Sequence, residues 1–441
     1  MKNVFAGHGK KYWKETFHAY LFLLPSFIIL GIFVFWPIAY SFVLSFFKWD
    51  FANQMNPYFN GVENYTKLFK LDMPLPYSFF EAFSYSFAYL ATGFLIMKFV
   101  SAVLNIRKSY QKEAMIYKKN SLYLGIGSLV LFILTVMFAR IESYWLLFVT
   151  GIAAVGLNIF ISKKLPKKDG IGLWGKLVGI ILLYFIFRYF SGVRYELYDF
   201  LQATKESSVF VKSIYNTLYY VILTTPASII LSLGIAMLLN FPLKAKSFYR
   251  TAFFIPYITS VVAISLVWKW IFNDEYGLLN YLMSLAGASR VRWLTDEMWT
   301  IPTISIVAVW KNLGYNAIIF LAGLQSIDKF YYEAADVDGA RSLQKFRHIT
   351  WPLLSPTTFF VLIVSVIGNF KVFTQLYVLY DGLPGPYNNS GMTMVFYIFD
   401  KFYKEQRMGE ASAAAYVLFM IIIVLTFFQF RVGKQRVNYT S

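Results

Sequence analysis

Between Ala19 and Phe47 the chain carries no charged residue, and similar uncharged or nearly uncharged stretches recur along its 441 residues. That recurrence limits the fold more than any other feature. A helix rises about 1.5 Å per residue, so roughly 20 apolar residues cross the ~30 Å hydrocarbon layer of a bilayer. With 58% hydrophobic and 20% aromatic residues and a mean hydropathy of +0.53, there is more apolar surface than a water-soluble domain can hide. The formal net charge is +18. Lys and Arg lie mostly in short segments between apolar stretches, which is the positive-inside pattern of a membrane protein and not a nucleic-acid-binding patch. Cysteine is absent, which excludes disulfides, thiolate metal sites and a cysteine nucleophile. His8, His18 and His348 are scattered and form no ligand cluster. No cleavable signal is expected, because the first apolar stretch is too long for a signal-peptide core and lacks a small-residue cleavage site.

The basic residues order the crossings. Lys2, Lys10, Lys11 and Lys14 against Glu15 place residues 1–18 in the cytoplasm. Ala19–Phe47 then spans, with bends expected at Pro25 and Pro37, and 48–78 lies outside. Apolar stretches follow at about 79–104, 121–139, 143–162 and 171–190, the first containing Lys98 and the fourth Lys176 and Arg188. If all four cross, Arg107, Lys108, Lys112, Lys118 and Lys119 face the cytoplasm, as do Lys163, Lys164, Lys167 and Lys168. Residues 213–243 cross inward, ahead of Lys244, Lys246 and Arg250, and Thr251 to about Ile271 returns outward. After an external loop at 272–298, Thr300–Gly323 runs inward. Trp351 to about Leu376 runs outward, and the Gly/Pro-rich Asp381–Thr393 segment forms turns outside. Ala411–Phe430 crosses inward, ahead of Arg431, Lys434 and Arg436. The expectation is an all-α polytopic membrane protein with ten spans.

Between two of these spans lies one long polar segment, Ser326–Pro356. Phe330, Ala334 and Val337 fall at helical spacing, which predicts a short amphipathic helix whose small residues admit a close partner. Gly339 permits a turn that a residue with a Cβ resists, and Pro352 suits the first turn of a new helix. The segment therefore reads as a helix–turn–helix knob.

That knob resembles the EAA loop of ABC importer permeases. The family pattern is EAA, three residues, Gly, about nine residues, then Ile-x-Leu-Pro. Here Glu333-Ala334-Ala335 is followed by Asp336-Val337-Asp338, Gly339, nine residues and Ile349-Thr350-Trp351-Pro352, with Trp351 in the usual Leu position. The flanking LAGLQSIDKFYYEAADVDGA and FRHITWPLLSP are similar to the carbohydrate-importing, maltose-transporter-like branch. Phe59–Phe69 (FNGVENYTKLF), Ser213–Tyr220 (SIYNTLYY), Asn273–Asn280 (NDEYGLLN) and Arg292–Leu294 (RWL) resemble it too. The likeness covers 19–70 and 208–432. It implies a six-helix permease core with about four additional transmembrane helices inserted after the first core helix. The implied division is a cytoplasmic 1–18, a first core span and external segment at 19–70, an insertion at 71–207, a core permease domain at 208–432 carrying the EAA loop at 326–356, and a cytoplasmic tail at 433–441.

The resemblance also implies the working parts. Glu333, Ala334, Ala335 and Gly339 would couple to a partner ATPase, joined by Pro352 and by Asp336 and Asp338, which suit pairing with basic residues of that partner. Gly7-His8-Gly9-Lys10 is too short for a P-loop and precedes no strand–helix unit, so ATP and magnesium belong to the separate ATPase dimer and this chain holds no cofactor. A second, homologous permease would complete a heterodimer, and an extracytoplasmic solute-binding protein would deliver carbohydrate cargo, oligosaccharide in particular. The setting is the bacterial plasma membrane with both termini cytoplasmic, the lipid bilayer as solvent and no nucleic acid. Sugar recognition needs polar groups for hydroxyls and aromatic faces for rings. Two mid-span phrases supply both: Trp310-Lys311-Asn312-Leu313-Gly314-Tyr315-Asn316, and Gly368-Asn369-Phe370-Lys371-Val372-Phe373, with Asn369, Phe370 and Lys371 as the candidates in the second. An ionisable group at membrane depth is a functional candidate, so Lys311 and Lys371 leave an anionic sugar open beside a neutral one, with snorkelling to the outer surface as the alternative for Lys371. Two other readings remain at this stage. A self-sufficient secondary transporter or channel leaves the knob without a task, and a polytopic glycosyltransferase-like enzyme lacks a carboxylate or His cluster.

Overall fold

The computed structural model describes residues 10–436 apart from 54, 73, 76, 107–110, 163–172, 193–194 and 243; the side chains of 10–13, 105–106, 111–120, 161–162, 173–174 and 434–436 are also left out. The cytoplasmic placements of Lys2, Arg107 and Lys108, of Lys163 to Lys168 and of 437–441 therefore concern residues outside those described, as does Gly7-His8-Gly9. Two compact units are present: Met1–Lys70 with Ser208–Ser441, and Leu71–Ser207.

The larger unit begins with α1 (Lys10–Leu30) and α2 (Trp36–Leu44), joined by a wide π turn at Gly31–Phe35. The irregularity sits just ahead of Pro37, whose missing N–H a wider turn accommodates; Pro25 lies inside α1. A two-residue ladder pairs β1 (Phe47–Lys48) with β2 (Tyr58–Phe59). Next is α3 (Glu63–Leu68), whose buried Asn64 donates to the carbonyls of Ser45 at 2.8 Å and Phe47 at 2.9 Å.

In the second unit, α4 (Phe79–Ile106), α5 (Gln111–Arg140), α6 (Tyr144–Ser162) and α7 (Leu173–Ser191) form a helical bundle, followed by α8 (Leu197–Ser207). Several polar groups in this apolar bundle answer one another, because an unmatched one is costly there. Lys98 Nζ donates to Asn158 Oδ1 at 2.6 Å. Arg188 lies 3.2 Å from the fully buried Glu196 and 3.0 Å from Asp199. Burial, with the Asp199 carboxyl close by, pushes the Glu196 carboxyl up to about 8.

The larger unit resumes at Ser208, whose hydroxyl caps α9 (Val209–Asn240). The outward crossing expected over Thr251–Ile271 is not one helix. It is α10 (Lys246–Ile258) and α11 (Val261–Ile271), bent by 97°. Pro256 has no N–H to give the preceding turn, and Thr259 and Ser260 then adopt extended ψ angles of 145° and 130°. After α12 (Leu278–Leu285), α13 (Thr300–Gln325) runs unbroken to the knob. The knob comprises α14 (Lys329–Val337), α15 (Ser342–Lys345), a π turn at Phe346–Thr350 and α16 (Trp351–Leu353).

Pro352 lies in the first turn of α16, as expected, but α16 is the last part of a longer helical run. The helix starts ten residues earlier, where Gln344 Oε1 accepts from the Arg341 N–H at 2.7 Å, and the π turn absorbs the proline. Trp351–Leu376 is not one crossing. α17 (Ser355–Asn369) leaves α16 at 64° and stops before the separate α18 (Thr374–Leu379), with Pro356 in the first turn of α17 restricting the residue before it. The chain closes with α19 (Met394–Phe399) and α20 (Met408–Arg436).

Among the described residues six helices are individually long and apolar enough to cross a bilayer, and two bent pairs qualify when each is taken as one span. Six crossing elements lie in the larger unit: α1–α2, α9, α10–α11, α13, α15–α17 and α20. The fold is all-α and polytopic, with a six-element permease-like core. Ile304, Val307, Leu376, Met394, Phe396 and Ala413 form part of its solvent-free interior.

Candidate functional site

α13 carries no carboxylate, and its polar residues repeat at i and i+4. At 100° per residue that spacing puts Lys311, Asn312, Tyr315 and Asn316 on one face. The face borders a cavity of about 290 Å³. Asn369 enters at the end of α17 and Lys371 from the turn beyond it. α9 contributes Tyr220, Thr224 and Ser228, and α10 contributes Tyr257 near the break. Six of the sequence-stretch candidates for cargo contact therefore converge from two separate phrases.

Asn316 is buried, and its amide donates to Ser228 Oγ at 3.0 Å. Asn369, also buried, donates to Thr225 Oγ1 at 2.9 Å. Each amide thus ties its helix to α9 while bordering the cavity. The rings of Tyr257 and Tyr315 are stacked, 4.4 Å between centroids and 11° from parallel. Lys311 Nζ donates to the Tyr257 carbonyl at 3.1 Å and lies 4.9 Å from the centre of the Tyr257 ring. Lys371 is exposed. Among the described residues no Asp or Glu lines the cavity.

The other four candidates lie elsewhere, for reasons of helical phase. Trp310 packs edge-on against Trp268 at 5.6 Å and borders a different, apolar cavity beside Pro256. The Leu313 carbonyl accepts from Ser232 Oγ at 3.0 Å. Gly314 is where α13 and α10 cross: a Cβ there would stand 1.8 Å from the Phe253 carbonyl oxygen. Phe370, 1% exposed, belongs to the interior. Tyr220, Thr224 and Ser228 were not among the sequence candidates. Their signal was a polar stripe along α9, Asn216, Tyr220, Thr224, Ser228 and Ser232, with every member four residues from the next and all buried.

In the knob, Asp328 caps α14 by accepting from the Phe330 N–H at 2.9 Å. Gly339 ends the helix at φ +70°. The Gly339 N–H donates to the Asp336 carbonyl at 3.0 Å and the Ala340 N–H to the Ala335 carbonyl at 2.9 Å, the paired bonds of a Schellman stop. Tyr332 and Thr350 hydroxyls meet at 2.9 Å, fastening α14 to the following helix. Asp336 is paired with Lys345 of the same knob, so this carboxylate is engaged internally where a basic partner residue was expected. Glu333, Ala334, Asp338 and Gly339 are exposed, Ala335 and Pro352 half-buried. Phe330 and Val337 stand 69% and 89% exposed, which leaves the apolar face of the knob uncovered.

Residues 200–438, more than half of the chain, match the family described as binding-protein-dependent transport system inner membrane component. Three relatives illustrate the likeness. The arabinooligosaccharides transport system permease protein AraP of Bacillus subtilis (strain 168) is 36% identical over 220 residues, 49% of this chain and 69% of the relative. The lactose transport system permease protein LacF of Rhizobium radiobacter is 34% identical over 231 residues, 52% of this chain and 77% of the relative. The sn-glycerol-3-phosphate transport system permease protein UgpA of Agrobacterium fabrum (strain C58 / ATCC 33970) is 33% identical over 235 residues, 52% of this chain and 78% of the relative. With the matched segment holding both the cavity and the knob, the chain belongs to the family of binding-protein-dependent transport system inner membrane components.

Proposed function

We propose that this chain is the carbohydrate-conducting permease of an ABC importer, with an oligosaccharide as cargo. The cavity carries the reading. Buried amides and hydroxyls stand ready for sugar hydroxyls, the Tyr257–Tyr315 stack offers aromatic surface to the C–H faces of a ring, and no carboxylate intrudes among the described residues. Its volume of about 290 Å³ is near the lower end of ligand sites, roughly 300–1,000 Å³. Relatives named for arabinooligosaccharides and lactose support a sugar. The residues lining the cargo site are Lys311, Asn312, Tyr315, Asn316, Asn369 and Lys371, with Tyr220, Thr224, Ser228 and Tyr257 added.

The exposed knob at 326–356 is the mechanical link. Held between α13 and α17, it transmits movement of an attached ATPase dimer, which binds ATP and magnesium, as a rigid-body displacement of those helices. Both termini and the knob face the cytoplasm, a second, similar permease completes the pathway, and an extracytoplasmic binding protein supplies the cargo. Residues 71–207 are an insertion into the family core.

The test is co-purification and coupled ATPase activity, with the genuine partner chains co-expressed. Gly339 has no atom within 4 Å of where a Cβ would sit, so substitution acts through backbone strain alone, about 1–2 kcal/mol for a left-handed residue. Gly339→Val is expected to release or uncouple the ATPase, while Gly339→Asn, which tolerates that region, retains most coupling. Glu333→Ala is expected to lower coupled activity. A parent chain that retains no ATPase yet moves a solute would overturn the importer reading.

A further inference from the structure

We infer that Lys311 is a positioning residue: its ammonium caps the open carbonyl end of α10 from another helix and thereby holds the aromatic wall of the cavity in place. The inference rests on the cavity being the cargo site. The sequence alone made this lysine a candidate partner for an anionic sugar. The geometry assigns its charge a different counterpart.

The break between α10 and α11 creates the need. In a continuous helix the Tyr257 carbonyl would accept from the N–H of residue 261. The extended backbone at Thr259 and Ser260 sends that N–H away. The last carbonyls of a helix carry its negative end, worth about half an elementary charge, and leaving one unmet at membrane depth is costly. Lys311 Nζ meets this one at 3.1 Å.

The lysine has a matching need. A cation at this depth requires compensation. Neither its own helix nor any of α9, α10, α11, α17 and α18 contains an Asp or Glu. The helix end and the Tyr257 ring face, 4.9 Å away, supply negative potential without a carboxylate. Because Lys311 and Tyr315 stand one turn apart on α13, both grip the same residue: one bonds the Tyr257 carbonyl, the other stacks on its ring at 4.4 Å. Removing the lysine frees the end of α10 and, with it, the ring on which cargo packs.

The experiment uses the complete transporter in proteoliposomes, with the parent, Lys311→Met and Lys311→Arg chains. Uptake is measured for a panel of neutral di- to tetrasaccharides and their uronate counterparts. Lys311→Met is expected to raise KM at least tenfold for every transported member, neutral or acidic, and Lys311→Arg to recover to within about threefold of the parent. A loss confined to the uronates would overturn the inference in favour of a cargo-charge role. A second readout needs no cargo. Amide hydrogen exchange across 257–262 is expected to quicken at least fivefold in Lys311→Met and to stay near the parent in Lys311→Arg, and equal exchange in all three would refute the cap. A panel that is not transported at all, with the exchange result intact, would remove the sugar reading and leave the cap standing.

Discussion

Gly314→Ala is expected to disrupt the permease core, lowering the thermal midpoint by roughly 5 °C or more and abolishing transport. The added methyl carbon would lie 1.8 Å from the carbonyl oxygen of Phe253 and 2.4 Å from its carbonyl carbon. Both atoms are backbone, so no change of rotamer relieves the overlap and α10 as a whole has to withdraw. Overpacking of an interior costs about 1–3 kcal/mol and sometimes more, and a rigid obstacle belongs at the upper end. The same movement would carry Tyr257 off Tyr315 and off Lys311. Gly234→Ala on α9 is the matched control, since nothing lies within 4 Å of its Cβ position; it should leave transport intact and stability equal or slightly higher. If the two alanine variants behave alike in thermal unfolding and uptake, the crossing at Gly314 is not as tight as described.

Asn316→Leu should weaken cargo binding by about two- to tenfold in KM, the effect of losing one hydrogen bond of roughly 0.5–1.5 kcal/mol. Leucine is close in size, and the Ser228 hydroxyl left behind can turn to a carbonyl one helical turn back, as Thr217 does to Ser213 at 2.7 Å. Folding is therefore expected to survive. Ser228→Ala separates the two tasks of the amide. If Asn316 serves only to fasten α13 to α9, the single and double variants will be equally impaired. If it also reaches cargo, Asn316→Leu will remain the worse with Ser228 already gone, and a double-mutant cycle on KM reads the difference.

The legible parts of this chain were those set by local chemistry. Uncharged length announced α1–α2, α9 and α20, and apolar length broken only by Lys311 announced α13, because a bilayer admits few other uses for such stretches. Amide and aromatic residues marked the part of α13 that meets the cavity, though not which of its faces. Neighbouring residues were harder to sort. Asn369 borders the cavity while Phe370 is interior, and Lys311 lines it while Trp310 turns to Trp268. One residue is a rotation of 100°, so a phrase read as a unit mixes faces. The α9 stripe was visible but ambiguous, since buried hydroxyls often bond carbonyls of their own helix, as Ser265 does to Val261 at 2.8 Å. Proline was read in both directions. Pro352 fits a helix start or a wide turn equally well by its own chemistry, and it meets both, lying in the first turn of α16 directly after the π turn. At Pro256 the 97° break also required Thr259 and Ser260 to go extended, which depends on what α10 packs against.

The internal fastening of the knob bears on kinetics. Asp336 with Lys345, Tyr332 with Thr350, and the paired bonds at Gly339 hold its shape through contacts within the chain itself. A partner that docks there has no segment to order on arrival, so little conformational entropy is lost at encounter. Substitutions on its exposed face should then change how long the ATPase stays bound far more than how quickly it arrives. Loosening the fastenings, by contrast, would slow arrival as well, because the surface would have to assemble before it could be recognised.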